Sequence, residues 1–219
     1  MLTVEEILGA AEDVLRRFGP AKATVLDVAQ TLGVSHGSVY RHFPSKAALR
    51  DAVTEQWLAR VSSPLALICA ENGPAAERMR RWLDTLVALK RRNALEDPEL
   101  FATYQSLATG ARSVIAQHVA RLESQLTRIV SDGVAGGEFA ATNAASAARA
   151  VFSATYRFHH PVHAPEWIAA DIDADYAQVR NLVMKGLRPE PNVVDPPTSG
   201  PPRNPEQVRM HIVRPTKGS

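Results

Sequence analysis

The sequence predicts an all-α protein of about nine helices, and three observations support that class. Apolar residues recur at positions i, i+3, i+4 and i+7 in one segment after another. Residues suited to helix N-termini precede several of these segments, and glycine or proline follows them. The chain has 219 residues, 45% of them hydrophobic, which is enough for one or two helical domains with a substantial core.

The N-terminal helix begins after Thr3 and ends at Gly19, with a proline directly following. Its apolar positions keep helical spacing without a gap: Val4, Ile7, Leu8, Ala11, Val14, Leu15 and Phe18. A long helix follows Ser45 and is expected to run to about Leu67. Residues 62–64 (Ser-Ser-Pro) are expected to kink it or to end it earlier. We therefore expect a first domain over residues 1–60.

Residues 24–43 form a second pattern, in which two short helices flank a glycine. Thr24 and Asp27 have the spacing of a capping box at the start of a helix. Gly33 then ends that helix, since a left-handed backbone costs glycine little. A second short helix follows, with Val39 and Phe43 on its buried side. The pattern predicts a helix-turn-helix, whose second helix enters the major groove of DNA.

The local charge also favours a nucleic acid. The formal net charge of the whole chain is only +2. From Val28 to Arg50, however, there are three basic residues, two histidines and no acid. DNA affinity should then depend on a few placed cations and on dimerisation, and should fall steeply with salt.

The run from Thr24 through Leu49, TVLDVAQTLGVSHGSVYRHFPSKAAL, resembles the DNA-binding domain of the tetracycline-repressor (TetR-type) transcriptional regulators. The resemblance implies an all-helical homodimer that represses promoters on double-stranded DNA and is released by a small-molecule effector. It implies phosphate contacts from Thr24, Tyr40, His42 and Lys46. It places Ser35, His36, Gly37 and Ser38 against the groove.

Beyond residue 60 we expect a helical effector-binding and dimerisation domain over residues 61–188. In the helix after residue 74, the Met79, Trp82 and Leu86 stripe faces inward. The basic cluster Arg80, Arg81, Lys90, Arg91 and Arg92 is expected on the solvated outside. The resemblance implies that helices over residues 75–131 enclose an effector pocket. It also implies that helices over 142–158 and 172–187 form a four-helix bundle in the dimer.

Aromatic residues and one histidine are the candidate pocket walls, with plain core as the alternative: Trp82, Phe101, Tyr104, His118, Phe152 and Tyr156. The three histidines His159, His160 and His163 could ligate zinc, but Pro161 separates them and their spacing matches no metal signature. The alternative is a helix end at which histidines cap carbonyls. We expect no metal and no cofactor.

The remaining features limit the function classes. Cys69 is the only cysteine, which fits a reducing cytoplasm. No stretch approaches the ~20 apolar residues of a membrane helix. Residues 189–219 are rich in proline, and we expect a disordered tail. No catalytic motif is present, so we predict a regulator and not an enzyme; the alternative is a ligand-independent structural or cell-cycle factor with the same DNA-binding head.

Overall fold

A computed structural model describes residues 2–189 of the chain, and the regular elements of that part are all helices. Its elements are α1 (Val4–Lys22), α2 (Val25–Leu32), α3 (His36–Tyr40), α4 (Lys46–Ala70), α5 (Ala75–Glu96), α6 (Pro98–Gly110), α7 (Arg112–Ala135), α8 (Ala144–Ala154), α9 (Tyr156–His159), a 3-10 helix (Pro161–Glu166) and α10 (Ile172–Gly186). No β-strand occurs between residues 2 and 189, so the all-α prediction is confirmed there. The predicted tail falls almost entirely on residues 190–219, outside the described residues.

The caps that the sequence predicted form as hydrogen bonds in the N-terminal half. The backbone amide of Thr3 donates to Glu6 Oε2 (2.8 Å), and the Glu6 amide donates back to the Thr3 hydroxyl (3.2 Å). Gly19 interrupts α1 with φ 71°, where only glycine is unstrained, and a last helical turn continues to Lys22. Asp97 accepts from the Leu100 amide at the start of α6. Local chemistry therefore sets these helix boundaries.

Helix α4 runs farther than predicted, because the expected kink or end at residues 62–64 does not terminate it. Pro64 lies inside the helix, which continues to Ala70. Its missing amide removes one intrahelical bond. Val61, Leu65 and Cys69 are buried against neighbouring helices, and this packing favours a continuous helix. The expected domain boundary near residue 60 thus lies within one unbroken helix.

Two hydrophobic clusters form most of the core. The first joins the N-terminal head to α6, since Val39 and Val53 of the head belong to the same cluster as Trp57, Phe101 and Tyr104. The second lies among α4, α5, α7 and α8 and includes Trp82, Leu126 and Ile129. Because α4 contributes to both clusters, it links the head mechanically to the rest of the molecule.

The single helix predicted over residues 142–158 is broken. Thr155 has φ −96° and ψ 5°, and it separates α8 from the short α9. Its hydroxyl lies 3.0 Å from the Val151 carbonyl and 3.2 Å from the Phe152 carbonyl. A threonine that hydrogen-bonds these carbonyls competes with the helix ladder. The break turns the following segment toward α5 and the 3-10 helix.

Candidate functional site

The helix-turn-helix has the predicted geometry. Gly33 adopts the left-handed conformation, with φ 65° and ψ 30°, at the end of α2. The Val34 amide then donates to the Ala29 carbonyl (3.0 Å), which closes the turn. Ser35 caps α3 by accepting from the Ser38 amide (3.3 Å). The turn therefore fixes the angle at which α3 leaves α2.

Helix α3 is anchored on one side and exposed on the other. Val39 is fully buried and Phe43 is 9% exposed, so both hold the segment to the head core. The opposite side is accessible to solvent and consists of Ser35, His36, Gly37 and Tyr40, with Ser38 half-buried at its edge. We call these five residues the α3 face. The rings of His36 and Tyr40 meet edge-on, with centroids 5.9 Å apart. The face is polar and exposed, as an element that reads a DNA groove must be.

Gly37 opens the middle of the α3 face. A Cβ at this position would meet only the Ser35 hydroxyl, 3.8 Å away, and the backbone φ is not positive. Nothing within the described residues requires a glycine here. Close approach of another molecule remains as a physical reason for it.

The predicted phosphate contacts lie at two helix starts beside the α3 face. Thr24 is exposed, but its hydroxyl donates to Asp27 Oδ2 (2.6 Å) within the capping box at the start of α2. These hydrogen bonds from Thr24, more than the nearby Lys46, lower the pKa of Asp27. At the start of α4, Ser45 accepts from the Ala48 amide (3.0 Å), and Lys46 occupies the first helical position. First-turn amides of α4 have no intrahelical acceptor, and the positive end of the helix dipole favours an anion.

Arg41 is a further candidate that the predicted contact set omitted. Its guanidinium donates to the Ser38 hydroxyl (3.2 Å), which also lies 3.0 Å from the Ser35 hydroxyl. The side chain is exposed and adds a cation to the edge of the α3 face. The sequence could have indicated this contact, because residues three positions apart, as Ser38 and Arg41 are, lie next to each other on a helix surface. His42, also exposed, is its neighbour along the chain.

A second candidate site is a cavity of about 860 Å³ lined by residues of the helices α4 to α9 and of the 3-10 helix. Five of the six predicted wall residues line it: Phe101, Tyr104, His118, Phe152 and Tyr156. Trp82 does not. Its ring is buried in the second cluster, and its indole nitrogen donates to Gln125 Oε1 (2.9 Å). Trp57 and Lys90, which the prediction left out, do line the cavity. The volume suits a small organic ligand.

Lys90 corrects an expectation. We expected it with the basic cluster on the solvated outside, but it is only 6% exposed and faces the cavity. Burial lowers the pKa of Lys90 to about 8. Burial, followed by the nearby Lys90, lowers the pKa of His118 to about 3, so this imidazole is neutral at physiological pH. The cavity therefore combines apolar walls with a few unusual polar groups.

The three histidines near residue 160 do not converge on one point. His159 Nε2 lies 3.2 Å from the Phe152 carbonyl, His160 Nδ1 accepts from the Val162 amide, and His163 Nδ1 lies 2.6 Å from Glu166 Oε1. Between residues 2 and 189, no group of three or more His, Cys, Asp or Glu side chains could hold a metal ion. His160 instead stacks on Tyr156, with ring centroids 4.1 Å apart.

Together, the glycine turn, the anchored α3 and the flanking helix starts define a helix-turn-helix DNA-binding protein. Matches to known protein families agree with this class of protein. Residues 7–53 match the family described as "Bacterial regulatory proteins, tetR family", and residues 75–180 match "Tetracyclin repressor-like, C-terminal domain". The chain belongs to the TetR family of bacterial regulatory proteins.

Individual proteins show how far the similarity extends. The nucleoid occlusion factor SlmA of Vibrio vulnificus is 32% identical over 134 residues, which are 58% of this chain and 66% of that protein. SlmA of Marinobacter nauticus is 29% identical over a similar length, 59% of this chain and 67% of that one.

Solved structures share the overall fold. A Rhodococcus protein of unknown function has a TM-score of 0.63 and 25% identity, and the match covers 84% of this chain and 95% of that one. The regulator FadR of Bacillus subtilis, solved in complex with stearoyl-CoA, has a TM-score of 0.61 and 18% identity, over 85% and 100% of the two chains. The family and fold are those of regulators. Within the described range, no helix is both long and apolar enough to cross a bilayer.

Proposed function

We propose that this protein is a transcriptional repressor that binds a palindromic operator as a homodimer and releases it when a small molecule fills the cavity. The observation that carries the proposal is the α3 face, polar and exposed while Val39 and Phe43 hold it to the core. In this proposal His36, Ser35 and Ser38 read base edges, and Gly37 admits the DNA closely.

Phosphate contacts would fix the position of the head on the duplex. Tyr40, His42 and Lys46 supply exposed or half-exposed polar groups around the α3 face. Thr24 contributes its exposed position at the start of α2, although its hydroxyl proton is already engaged by Asp27. Arg41 joins this set because its guanidinium lies beside Ser38.

The proposed dimer contact uses α8 and α10. Exposed or half-exposed small residues, including Ala147, Ala150 and Ala154, line a groove between these helices together with Val183. Leu182 on α10 is 72% exposed. Small side chains let helices approach closely, and an exposed leucine beside them gives a partner apolar surface to bury. A second copy of the chain, packed helix to helix, fits this surface.

Helix α4 offers the route by which a ligand would act on DNA binding. Its first residue, Lys46, belongs to the head, while Trp57 on the same helix lines the cavity. Trp57 stacks on Tyr104 with ring centroids 4.4 Å apart. A ligand that separates these rings would displace α4 and move the two heads out of register with half-sites one helical turn apart, roughly 34 Å.

Selection of bound sequences from a random duplex pool tests the proposal. We expect the purified protein to enrich a palindrome with two half-sites about one helical turn apart. Enrichment of a single half-site would contradict binding as a homodimer. Recovery of no preferred sequence would contradict sequence-specific repression altogether.

A second candidate function is a DNA-binding structural or cell-cycle factor that needs no effector. The similarity to SlmA, named as a nucleoid occlusion factor, favours it. Thermal unfolding across a compound library separates the two: stabilisation by a compound that also weakens operator binding supports the repressor. Stabilisation by none supports the second candidate.

We further propose that the protein binds and does not catalyse, and that it works in the cytoplasm without a cofactor. The sequence lacks a glycine-rich phosphate loop, a nucleophile elbow and a zinc-hydrolase motif. Turnover of a hydrolase or transferase substrate by pure protein, lost on changing His159 or His160, would contradict this.

A further inference from the structure

The cavity carries one positive charge that the described residues leave without an opposite charge. Lys90 on α5 is 6% exposed, and its ammonium makes no hydrogen bond or ion pair between residues 2 and 189. The nearest compensation is the face of Trp57, whose ring centroid lies 5.9 Å from Nζ. The residues that line the cavity include no Asp, Glu or Arg. A buried, unpaired ammonium is costly, and folding alone gives no reason for one here.

A second polar group that lines the cavity is also without a partner. His118 is 3% exposed, and neither of its ring nitrogens has a hydrogen-bond partner in the described part of the chain. It lies near enough to Lys90 for the ammonium to lower the pKa of its ring. A neutral imidazole has one N–H donor. One cation and one neutral donor therefore border the same cavity without an acceptor. Tyr104 contributes its ring to the cavity, whereas its hydroxyl lies beside the Glu12 carboxylate.

We infer that the effector is an apolar monocarboxylic acid, bound as its carboxylate by Lys90 and His118. This inference deepens the proposed repressor function and rests on it. The apolar part of the ligand would lie along Phe101, Ile115, Val119 and Leu122, which line the remainder of the cavity. Charge decides the class: one ammonium balances one negative charge, and no arginine is present to form the bidentate contacts that a phosphate dianion favours.

The pH dependence of binding follows from the groups around Lys90. Its neighbours are Trp57 of α4, His118 of α7, and His159 and His160 at the end of α9. Burial lowers the pKa of Lys90 to about 8, and the two buried histidines, each with a pKa lowered to about 3, are neutral above pH 5. Carboxylate binding requires the charged ammonium, so affinity is full below pH 8. It falls as pH rises past 8, because a growing fraction of the free protein then carries a neutral amine at Lys90.

Titration calorimetry on the full chain tests the inference with defined probes. These are decanoate, 3-phenylpropanoate and benzoate, each beside its matched primary alcohol. At pH 7 we expect at least one carboxylate to bind at least about tenfold more tightly than its alcohol. Lys90→Met should remove that preference and leave the midpoint of thermal unfolding equal or higher, because a buried charge has been replaced by an apolar side chain.

Arg92→Met is the matched control, since it removes a cation from the same helix at an exposed position. It should keep the wild-type preference and its loss above pH 8. The inference is overturned if no carboxylate binds, if acid and alcohol bind equally, or if Lys90→Met keeps the preference. A lower unfolding midpoint in Lys90→Met would identify Lys90 as a structural residue and would also overturn it.

The proposed repressor function fails by a different result. If a carboxylate binds with the Lys90-dependent preference but leaves the affinity for the selected palindrome unchanged, the anion site stands and the repressor mechanism does not. If the palindrome is bound and released by an uncharged compound, the repressor stands and the inferred effector class is wrong.

Discussion

At the scale of single residues, side chains and glycines that the fold itself does not require point to function. Gly37 has open space where a Cβ would stand, and Lys90 lacks the counterion that a buried ammonium needs. Both positions lie in candidate sites. A residue that offers the isolated chain no structural advantage is readily explained by a molecule that the chain binds.

Replacing Gly37 with alanine should separate folding from DNA binding. Alanine favours a helix over glycine by about 0.5–1 kcal/mol, and the added methyl meets only the Ser35 hydroxyl, so thermal stability should be unchanged or higher. Operator affinity should fall because the added methyl group occupies space that the bound DNA would fill. Gel shifts and thermal unfolding of the same preparation measure the two effects.

Gly9→Ala is the control for that experiment. Gly9 is also an exposed helical glycine with open space around it, but it lies on α1, away from the α3 face. It should gain similar stability and keep its operator affinity. Equal operator affinity in Gly37→Ala and wild type would mean that DNA does not approach Gly37 closely.

At the scale of whole elements, we expect some residues of the helix-turn-helix to position the protein on the DNA backbone and others to determine the sequence preference. Tyr40 ends α3 and Lys46 begins α4, and both are proposed phosphate contacts, whereas His36 lies at the exposed start of α3. Tyr40→Ala or Lys46→Ala should weaken binding to every sequence and make the salt dependence shallower. His36→Ala should instead change the sequence preference.

A gel-shift series across salt concentrations and operator variants measures this division. Removing one phosphate interaction should reduce the slope of log affinity against log salt by about 1. If Tyr40→Ala and Lys46→Ala bind with unchanged affinity and slope, the assigned phosphate roles are wrong.

The elements also show which parts of the fold local sequence can predict. Thr3 and Thr24 were recognised at helix starts because capping depends on residues three positions apart, and each accepts the expected amide. The break at Thr155 and the continuation of α4 past Pro64 were missed. Both outcomes depend on packing against distant helices, which overrides local preference.

The cavity residues illustrate the same limit. Aromatic residues were chosen by type, which placed Trp82 in the cavity although it packs in the second cluster. Lys90 was assigned to the solvated basic cluster, yet it follows buried Leu83 by seven positions and buried Leu86 by four. That spacing predicts that Lys90 lies on the buried face of α5. It was assigned to the exposed face because its side chain is charged.

At the scale of the whole molecule, one helix joins the DNA-reading head to the proposed effector cavity. α4 begins beside the α3 face and carries Trp57 into the cavity wall. The first hydrophobic cluster also crosses from the head to Phe101 and Tyr104, so the two sites share one packed core. Coupling between them needs a change in that shared core, because packed interiors shift between discrete arrangements.

The central claim is that the α3 face is the surface that meets DNA, and amide hydrogen exchange on the protein with and without the selected duplex tests it most directly. We predict increased protection in residues 24–50 and little direct protection of the cavity helices α5 to α7. Protection confined to other helices, with residues 35–46 exchanging as fast as in the free protein, would contradict the claim.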